Sequence, residues 1–375
     1  MSANPEQMLF ASTAQAFLDK EVPLSRVRQL HADGVAFDPA WWRRAAELGW
    51  AGLLVPEDLG GGSPSGDGVA DLAVLAEQAG RSVAPGPLHP VSVVLAGLVE
   101  APQNHEAAIE SLVAGEAVAS WAVYEPGKAW DPLDPGLTAT PTATGYRLDG
   151  AKDRVEAGTE SSLVLAVASC DGVPRQFLVP IDTPSVTVEP QRSLDLVKRH
   201  ARITFEGVQI PAEAAVGSPD HTKRIIERQC QIASVLQCAE VVGLLDTVLG
   251  FTIQWAFDRH SFGRPLASYQ ALKHRFADLK IWFETCRATT AAAVKSVAQH
   301  SPDAAFNVSV AKSYVGEHAP AMVQDCIQLH GGIGVTWEHD LHLFLRRATL
   351  NRSMFGSPED HNLRVYALST ELEPA

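Results

Sequence analysis

The sequence is poor in cysteine, in positive charge and, in its C-terminal part, in proline. Its five cysteines are Cys170, Cys230, Cys238, Cys286 and Cys326, scattered and without a CxxC pair. That argues against a disulfide framework or a zinc ribbon and reads as reduced intracellular thiols, mostly buried. Lysine and arginine total 30 against 44 aspartates and glutamates, a net charge of −14. A phosphate backbone would be repelled by such a surface, so nucleic-acid binding is not expected, although a local basic pocket for a small anion is compatible with it. No uninterrupted apolar run reaches the roughly 18–20 residues that span a bilayer, so no membrane association is expected. The first ten residues lack a basic stretch followed by an apolar one; no secretory signal is expected, and a cytoplasmic location is. What is plentiful is apolar surface: 46% of residues are hydrophobic and 20% charged. That composition fits a globular protein, and a length of 375 residues fits two or three domains.

Proline divides the chain. Nineteen of the 24 prolines precede residue 220 and five follow it. Because proline breaks helix interiors, long helices are expected only beyond that point. Residues 1–115 read as helices joined by turns, among them Trp41 to Leu48 after the Asp38-Pro39 start signal, Val69 to Ala79, Val91 to Val99 and Glu106 to Val113. Residues 116–220 carry short β-favouring runs at Val118 to Val123, Tyr146 to Leu148, Leu163 to Ala168, Gln176 to Val179, Val186 to Glu189 and Ala201 to Val208. Turn residues separate them, which predicts an antiparallel β-domain. Residues 221–375 predict a four-helix bundle from Arg224 to Arg259, Gln270 to Gln299, Asp303 to His330 and Glu338 to Arg352. The fold class is therefore α+β, in the order helical, β, helical, with no internal repeat.

Two segments carry possible chemistry. Arg259 to Gln270 reads RHSFGRPLASYQ. An arginine at a helix end, beside backbone N–H groups freed by Gly263 and Pro265, suits a pyrophosphate; it equally suits an interhelix turn with a cation at a helix C-terminus. Gln328 to Gly334 reads QLHGGIG. Its glycines allow close approach of a ligand or another backbone, or simply cap a helix. There is no GxGxxG and no GxSxG, which disfavours a Rossmann NAD enzyme and a hydrolase elbow. His330, His339 and His342 lack the HExxH spacing, so no metal is expected.

Taken in order, these segments resemble the acyl-CoA dehydrogenase family across nearly the whole chain. The likeness rests on LGWAGLLVPEDLGG (Leu48 to Gly61), AEQAGRSVAPGPL (Ala76 to Leu88), YEPG (Tyr124 to Gly127), DRHSFGRPLASYQALKHRFADL (Asp258 to Leu279) and CIQLHGGIGVTWEHDLHLFLRRA (Cys326 to Ala348). The resemblance implies that family's fold: a helical domain, a β-domain and a four-helix bundle. It also implies FAD, an acyl-CoA substrate, α,β-dehydrogenation and an electron-transfer acceptor. Carried over position by position, it implies that Arg259, Ser261, Phe262, Gly263, Gln270, Gln328, Gly331 and Gly332 grip the ADP half of an FAD seated mainly in a neighbouring subunit.

The rest of the family's equipment departs. The usual catalytic glutamate position holds Phe355, and the alternative base position on the first bundle helix holds Ala233, so the catalytic residue is unknown. After YEPG the chain has Lys128, Ala129, Trp130 and Asp131 in place of small residues. The family's flavin strand is replaced by Arg154, Val155 and Glu156. What is kept is what a subunit offers its neighbour, and what is lost is what it uses itself. The chain thus resembles the base-lacking partner in α2β2 acyl-CoA dehydrogenases, such as those acting on steroid side chains in lipid metabolism. Three alternatives stay open. One is a self-sufficient dehydrogenase, as a homotetramer, with a displaced base at Glu240, Glu359 or Asp360, although Glu359 and Asp360 equally read as solvated carboxylates near a helix start. The second is a flavin monooxygenase using His330 or His361. The third is a non-catalytic scaffold.

Overall fold

The computed structural model describes residues 4–372. The helices are α1 (Pro5–Glu21), α2 (Leu24–Ala32), α3 (Pro39–Glu47), α4 (Gly68–Arg81), α5 (Leu88–Leu98), α6 (Glu106–Val113), α7 (Pro219–Asp258), α8 (Gln270–Ala298), α9 (Ala304–His330), α10 (Leu341–Ser353) and α11 (Pro358–Leu372). The strands are β1 (Ala119–Ala122), β2 (Thr138–Thr142), β3 (Gly145–Glu156), β4 (Leu163–Cys170), β5 (Val173–Pro180), β6 (Val186–Gln191), β7 (His200–Pro211), β8 (Ala215–Val216), β9 (His260–Ser261) and β10 (Arg264–Pro265).

Local sequence starts several of these helices. Asn4 and Gln7 form a reciprocal capping box at α1, and the Asp38 carboxylate caps α3 ahead of proline at its first position. Helices α1, α2 and α11 are additions to the sequence expectation. Helix α1 buries only Gln7, Ala14 and Leu18, too sparse an apolar stripe to stand out as a periodic pattern. Helix α7 is the one helix among the described residues that is long and apolar enough to cross a membrane, but 89% of its apolar window is buried inside the protein. Its composition serves packing.

By contact density the chain divides into two compact units, neither of them a continuous stretch: residues 1–28, 69–84 and 234–375, and residues 29–68 and 85–233. The second unit holds the sheet, ordered β6-β7-β3-β2-β4-β5-β8 with β1 paired to β4. Most pairings are antiparallel, as the turn spacing predicts. The sheet is nonetheless mixed, because β1 and β2 each run parallel to β4. Alternate residues of β3, β4, β5 and β7 fill its core, with Leu148, Val164, Phe177, Val179, Ile203 and Phe205 buried. In the first unit α8 packs on α9, and α9 on α10 and α11. Helices α4 and α7 meet backbone to backbone: a Cβ at Gly80 would lie 1.8 Å from the Glu240 carbonyl oxygen, so only glycine permits that approach.

Candidate functional site

All eight residues carried over for cofactor binding lie in the first unit, and all but the half-buried Ser261 are exposed. Helix α7 ends at Asp258 and the chain turns through the β9–β10 hairpin. Ser261 pairs with Arg264 and His260 with Pro265, while the Leu266 N–H donates to the Arg259 carbonyl at 2.8 Å. The two central residues both take positive φ, +49° at Phe262 and +78° at Gly263. This is the backbone that a two-residue hairpin needs, and it costs energy at a phenylalanine. The turn leaves the Phe262 ring 98% exposed, so no apolar surface of this chain receives it. The Tyr269 hydroxyl ties the far side of the hairpin by donating to the Ser261 carbonyl at 2.6 Å, and Arg264 lies 3.9 Å over the Tyr269 ring. Gln270 then opens α8.

The second segment follows α9. Gly331, at φ +66°, terminates that helix, and residues 331–335 form a 3₁₀ turn. Gly332 takes no positive φ, and a Cβ there would meet nothing within 4 Å. The fold of this chain places no demand for glycine at that position. The bare backbone is instead open to a molecule from outside, as a phosphate-bearing group would require.

Trp255 joins the two segments, and the sequence reading missed it. The Arg259 guanidinium lies 5.9 Å from the Trp255 ring centroid, and His330 stacks on the same ring at 5.4 Å and 20°. Its spacing four residues before Arg259 was the available signal, since such pairs share a helix face. His330 also bonds the Cys326 carbonyl through Nδ1 at 2.8 Å and packs edge-on to His339 at 4.7 Å. His342 stacks on Trp337, whose carbonyl accepts from Arg28, and Arg28 also pairs with Asp340 at 2.7 Å. His330 and His339 are therefore packing partners, while His342 packs on Trp337 instead. Burial lowers the pKa of each, and no metal-holding cluster occurs among the described residues.

The positions that the resemblance aligns with the isoalloxazine side of a flavin site all lie in the second unit and are occupied by this chain's own side chains. Arg154 lies 4.3 Å over the Tyr124 ring, which packs on Trp130 at 4.8 Å. The Glu125 carboxylate is turned inward to the fully buried Lys152. Burial lowers Lys152 to about 8, against the opposing pull of Glu125. Glu156 faces His89 at 3.5 Å and Lys198 at 3.9 Å. Despite its burial, Lys198 and His89 hold its carboxyl well below the usual range. Ala233 is buried, and its carbonyl is bonded by His89 Nε2 at 3.0 Å. An isoalloxazine does not fit a space already occupied by an arginine–tyrosine stack and an ion cluster. The pyrophosphate side, with an exposed arginine, two exposed glutamines and open glycine backbone, does fit its group.

Each of the three carboxylates considered as a displaced base is engaged elsewhere. Both Glu240 oxygens are engaged, Oε1 by Arg347 at 2.6 Å and Oε2 by Asn351 at 2.7 Å. Glu359 is an exposed partner of Arg352, and Asp360 caps α11 by exchanging hydrogen bonds with Ser357. Phe355 is buried at φ +58°, and its carbonyl is bonded by His361 Nε2 at 2.8 Å. Burial pushes the His361 imidazole down to about 4. A folded-state value below the ordinary one means that the unfolded chain binds the extra proton first. Stability is therefore full above about pH 6.5 and falls as pH drops toward 4, by on the order of 3 kcal/mol. His361→Gln should flatten that acid limb in urea unfolding measured from pH 7 to 4.

Residues 4–101 match the acyl-CoA dehydrogenase N-terminal domain and residues 224–367 the acyl-CoA dehydrogenase C-terminal domain. The chain belongs to the acyl-CoA dehydrogenase family. Among its relatives is acyl-CoA dehydrogenase IpdE2 of Mycobacterium tuberculosis, 29% identical over 96% of both chains. A solved variant of the Tcur3481-Tcur3483 steroid ACAD is 28% identical over 98% of both chains with a TM-score of 0.88. The ChsE4-ChsE5 complex from Mycobacterium tuberculosis shares the fold at a TM-score of 0.89 and 24% identity, over 100% of this chain and 99% of that one. Family membership makes the protein an oxidoreductase of the CH–CH type. The helical, sheet and helical segments expected from the sequence are those of this family's fold.

Proposed function

We propose that this chain is the base-lacking subunit of a two-subunit, FAD-dependent acyl-CoA dehydrogenase, and that it completes the FAD site of a catalytic partner. One contrast carries the reading. The groups suited to a neighbour's cofactor are exposed and linked through Trp255, whereas the chain's own isoalloxazine side is filled by Arg154, Tyr124 and the Glu156 cluster. The names of the similar structures, a two-component steroid ACAD and a ChsE4-ChsE5 complex, support an α2β2 assembly acting on a steroid-type acyl-CoA.

In that assembly, FAD supplies the hydride acceptor for α,β-dehydrogenation of the acyl-CoA thioester. Arg259 pairs with the pyrophosphate as a planar, permanently charged donor set. Gln270 and Gln328 offer neutral amides, and Gly331 and Gly332 leave room for the cofactor against the backbone. The base and the hydrogen bonds that acidify the α-proton belong to the partner.

Co-expression with a second acyl-CoA dehydrogenase-like chain that carries the glutamate should yield a native mass of two copies of each chain, with bound flavin and turnover. Purified alone, this chain should hold little flavin and show no turnover. Full dehydrogenase activity from the single chain would overturn the proposal, and a stable complex without flavin would favour a scaffold.

A further inference from the structure

A cavity of about 470 Å³ lies in the first unit between α1, α4, α7 and α8. Its position is independent of the cofactor segments. Packed interiors leave few voids larger than a water molecule, and small-molecule sites begin at roughly 300 Å³. The walls explain the space. Ala11, Ala73, Val74, Val242, Ala291 and Val294 present short apolar side chains from all four helices.

Two polar side chains without partners give the cavity chemistry. The buried Thr290 hydroxyl makes no hydrogen bond among the described residues. Gln78 is 8% exposed, and its side chain makes none either. It lines this cavity and also a second one of about 480 Å³ beside Gln15, Asp19 and Thr247, so its carboxamide sits where the two spaces meet. Its polar atoms face the cavity, so a molecule held there must supply their hydrogen bonds.

The charged groups at the cavity wall are already neutralised. Glu77 pairs with Arg81 at 3.3 Å, and Arg81 with Asp246 at 2.5 Å. Glu284 pairs with Lys280 at 2.6 Å and with Arg287. Three carboxylates thus meet three cations, and the wall offers no net field to a charged ligand.

We infer that this cavity is a binding site, separate from the cofactor segments, for an uncharged, mainly apolar molecule whose single hydroxyl or carbonyl oxygen bonds the Gln78 carboxamide. The apolar walls take the hydrocarbon. The amide can donate to a carbonyl or exchange a bond with a hydroxyl. A carboxylate would lose its hydration without gaining a cation in return.

The test uses the full chain with 1-octanol and octanoate as probes, read by ligand-observed NMR titration and thermal unfolding. Octanol should bind saturably and raise the melting temperature, with octanoate at least about ten-fold weaker. Ala291→Phe, which fills the space, should weaken octanol at least about ten-fold without loss of cooperative unfolding. Gln78→Leu, of similar size, should weaken it about five-fold, the worth of one hydrogen bond. Absence of saturable octanol binding would overturn the site. Octanol affinity unchanged in both variants, or in Gln78→Leu alone if Ala291→Phe does not fold, would also overturn it. Octanoate binding equal to octanol would overturn the uncharged class.

Discussion

Glu240→Ala should lower the unfolding free energy by about 3–5 kcal/mol, the range found when one partner of a buried ion pair is removed. Arg347 is fully buried, and Glu240 is its ionic partner at 2.6 Å. The guanidinium also bonds the carbonyls of Ala84 at 3.4 Å and Val83 at 3.5 Å. Alanine at 240 would remove this carboxylate from beside a guanidinium held in the interior. It would also free the Asn351 amide, on the same helix as Arg347, whose carbonyl end accepts no hydrogen bond. The neighbouring Lys312 donates to Gln237 at 2.8 Å and to the Asn351 backbone carbonyl, so α7, α9 and α10 share one polar network. Paired replacement tests this account. Glu240→Leu combined with Arg347→Met removes both charges and should recover most of the loss, since apolar replacement of a whole buried pair is often neutral or better. Urea midpoints of the three proteins, with slopes checked for constancy, decide the matter. If Glu240 were instead a catalytic base, Glu240→Gln in the two-subunit complex would keep the midpoint and abolish turnover. The structural role predicts a lowered midpoint with turnover retained by the folded fraction.

Much of the fold could be read from the sequence because it was written in local signals. The proline-poor stretch after residue 220 predicts helices whose ends fall within a few residues of α7 to α10. The β-favouring runs fall on β1 and β3 to β7. Elements without a strong period escaped. Strand β2 carries Pro141 and four exposed residues out of five, which is not a strand pattern. Helix α11 begins at the capped Ser357–Asp360 turn, just beyond the altered base position. At the candidate site the motif residues could be identified, but their supports could not. Trp255 and His330 are 75 residues apart by their numbers and meet only through tertiary packing. Likewise His89 comes from α5, Glu156 from β3 and Lys198 from the connection between β6 and β7. Such contacts depend on the assembled fold, and a single sequence carries no sign of them. The departures at Phe355 and Ala233 were legible as losses. That Glu156 would be locked by two partners rather than left facing a flavin was not.

In the two-subunit complex, Arg259→Ala should weaken FAD binding by roughly ten- to a hundred-fold, as expected for loss of a hydrogen bond to a charged group. The folded chain itself should be little affected. Arg259 is exposed, its only side-chain contact among the described residues is the Trp255 ring at 5.9 Å, and its backbone bonds survive the substitution. Gly332→Val should have the same phenotype for a different reason. A Cβ there meets nothing within 4 Å, so stability should hold, yet the valine methyl groups would occupy the space offered to the cofactor. Both variants should leave the native mass of the complex unchanged while the flavin absorbance per complex falls, and dehydrogenase activity should fall in step and return with excess FAD. Each variant separates cofactor binding from folding because the altered position lies on the exposed rim rather than in the core. Flavin content equal to the parent complex in both variants would show that the exposed arginine and the bare glycine serve only as turn residues. The ADP grip would then have to be sought in the partner alone.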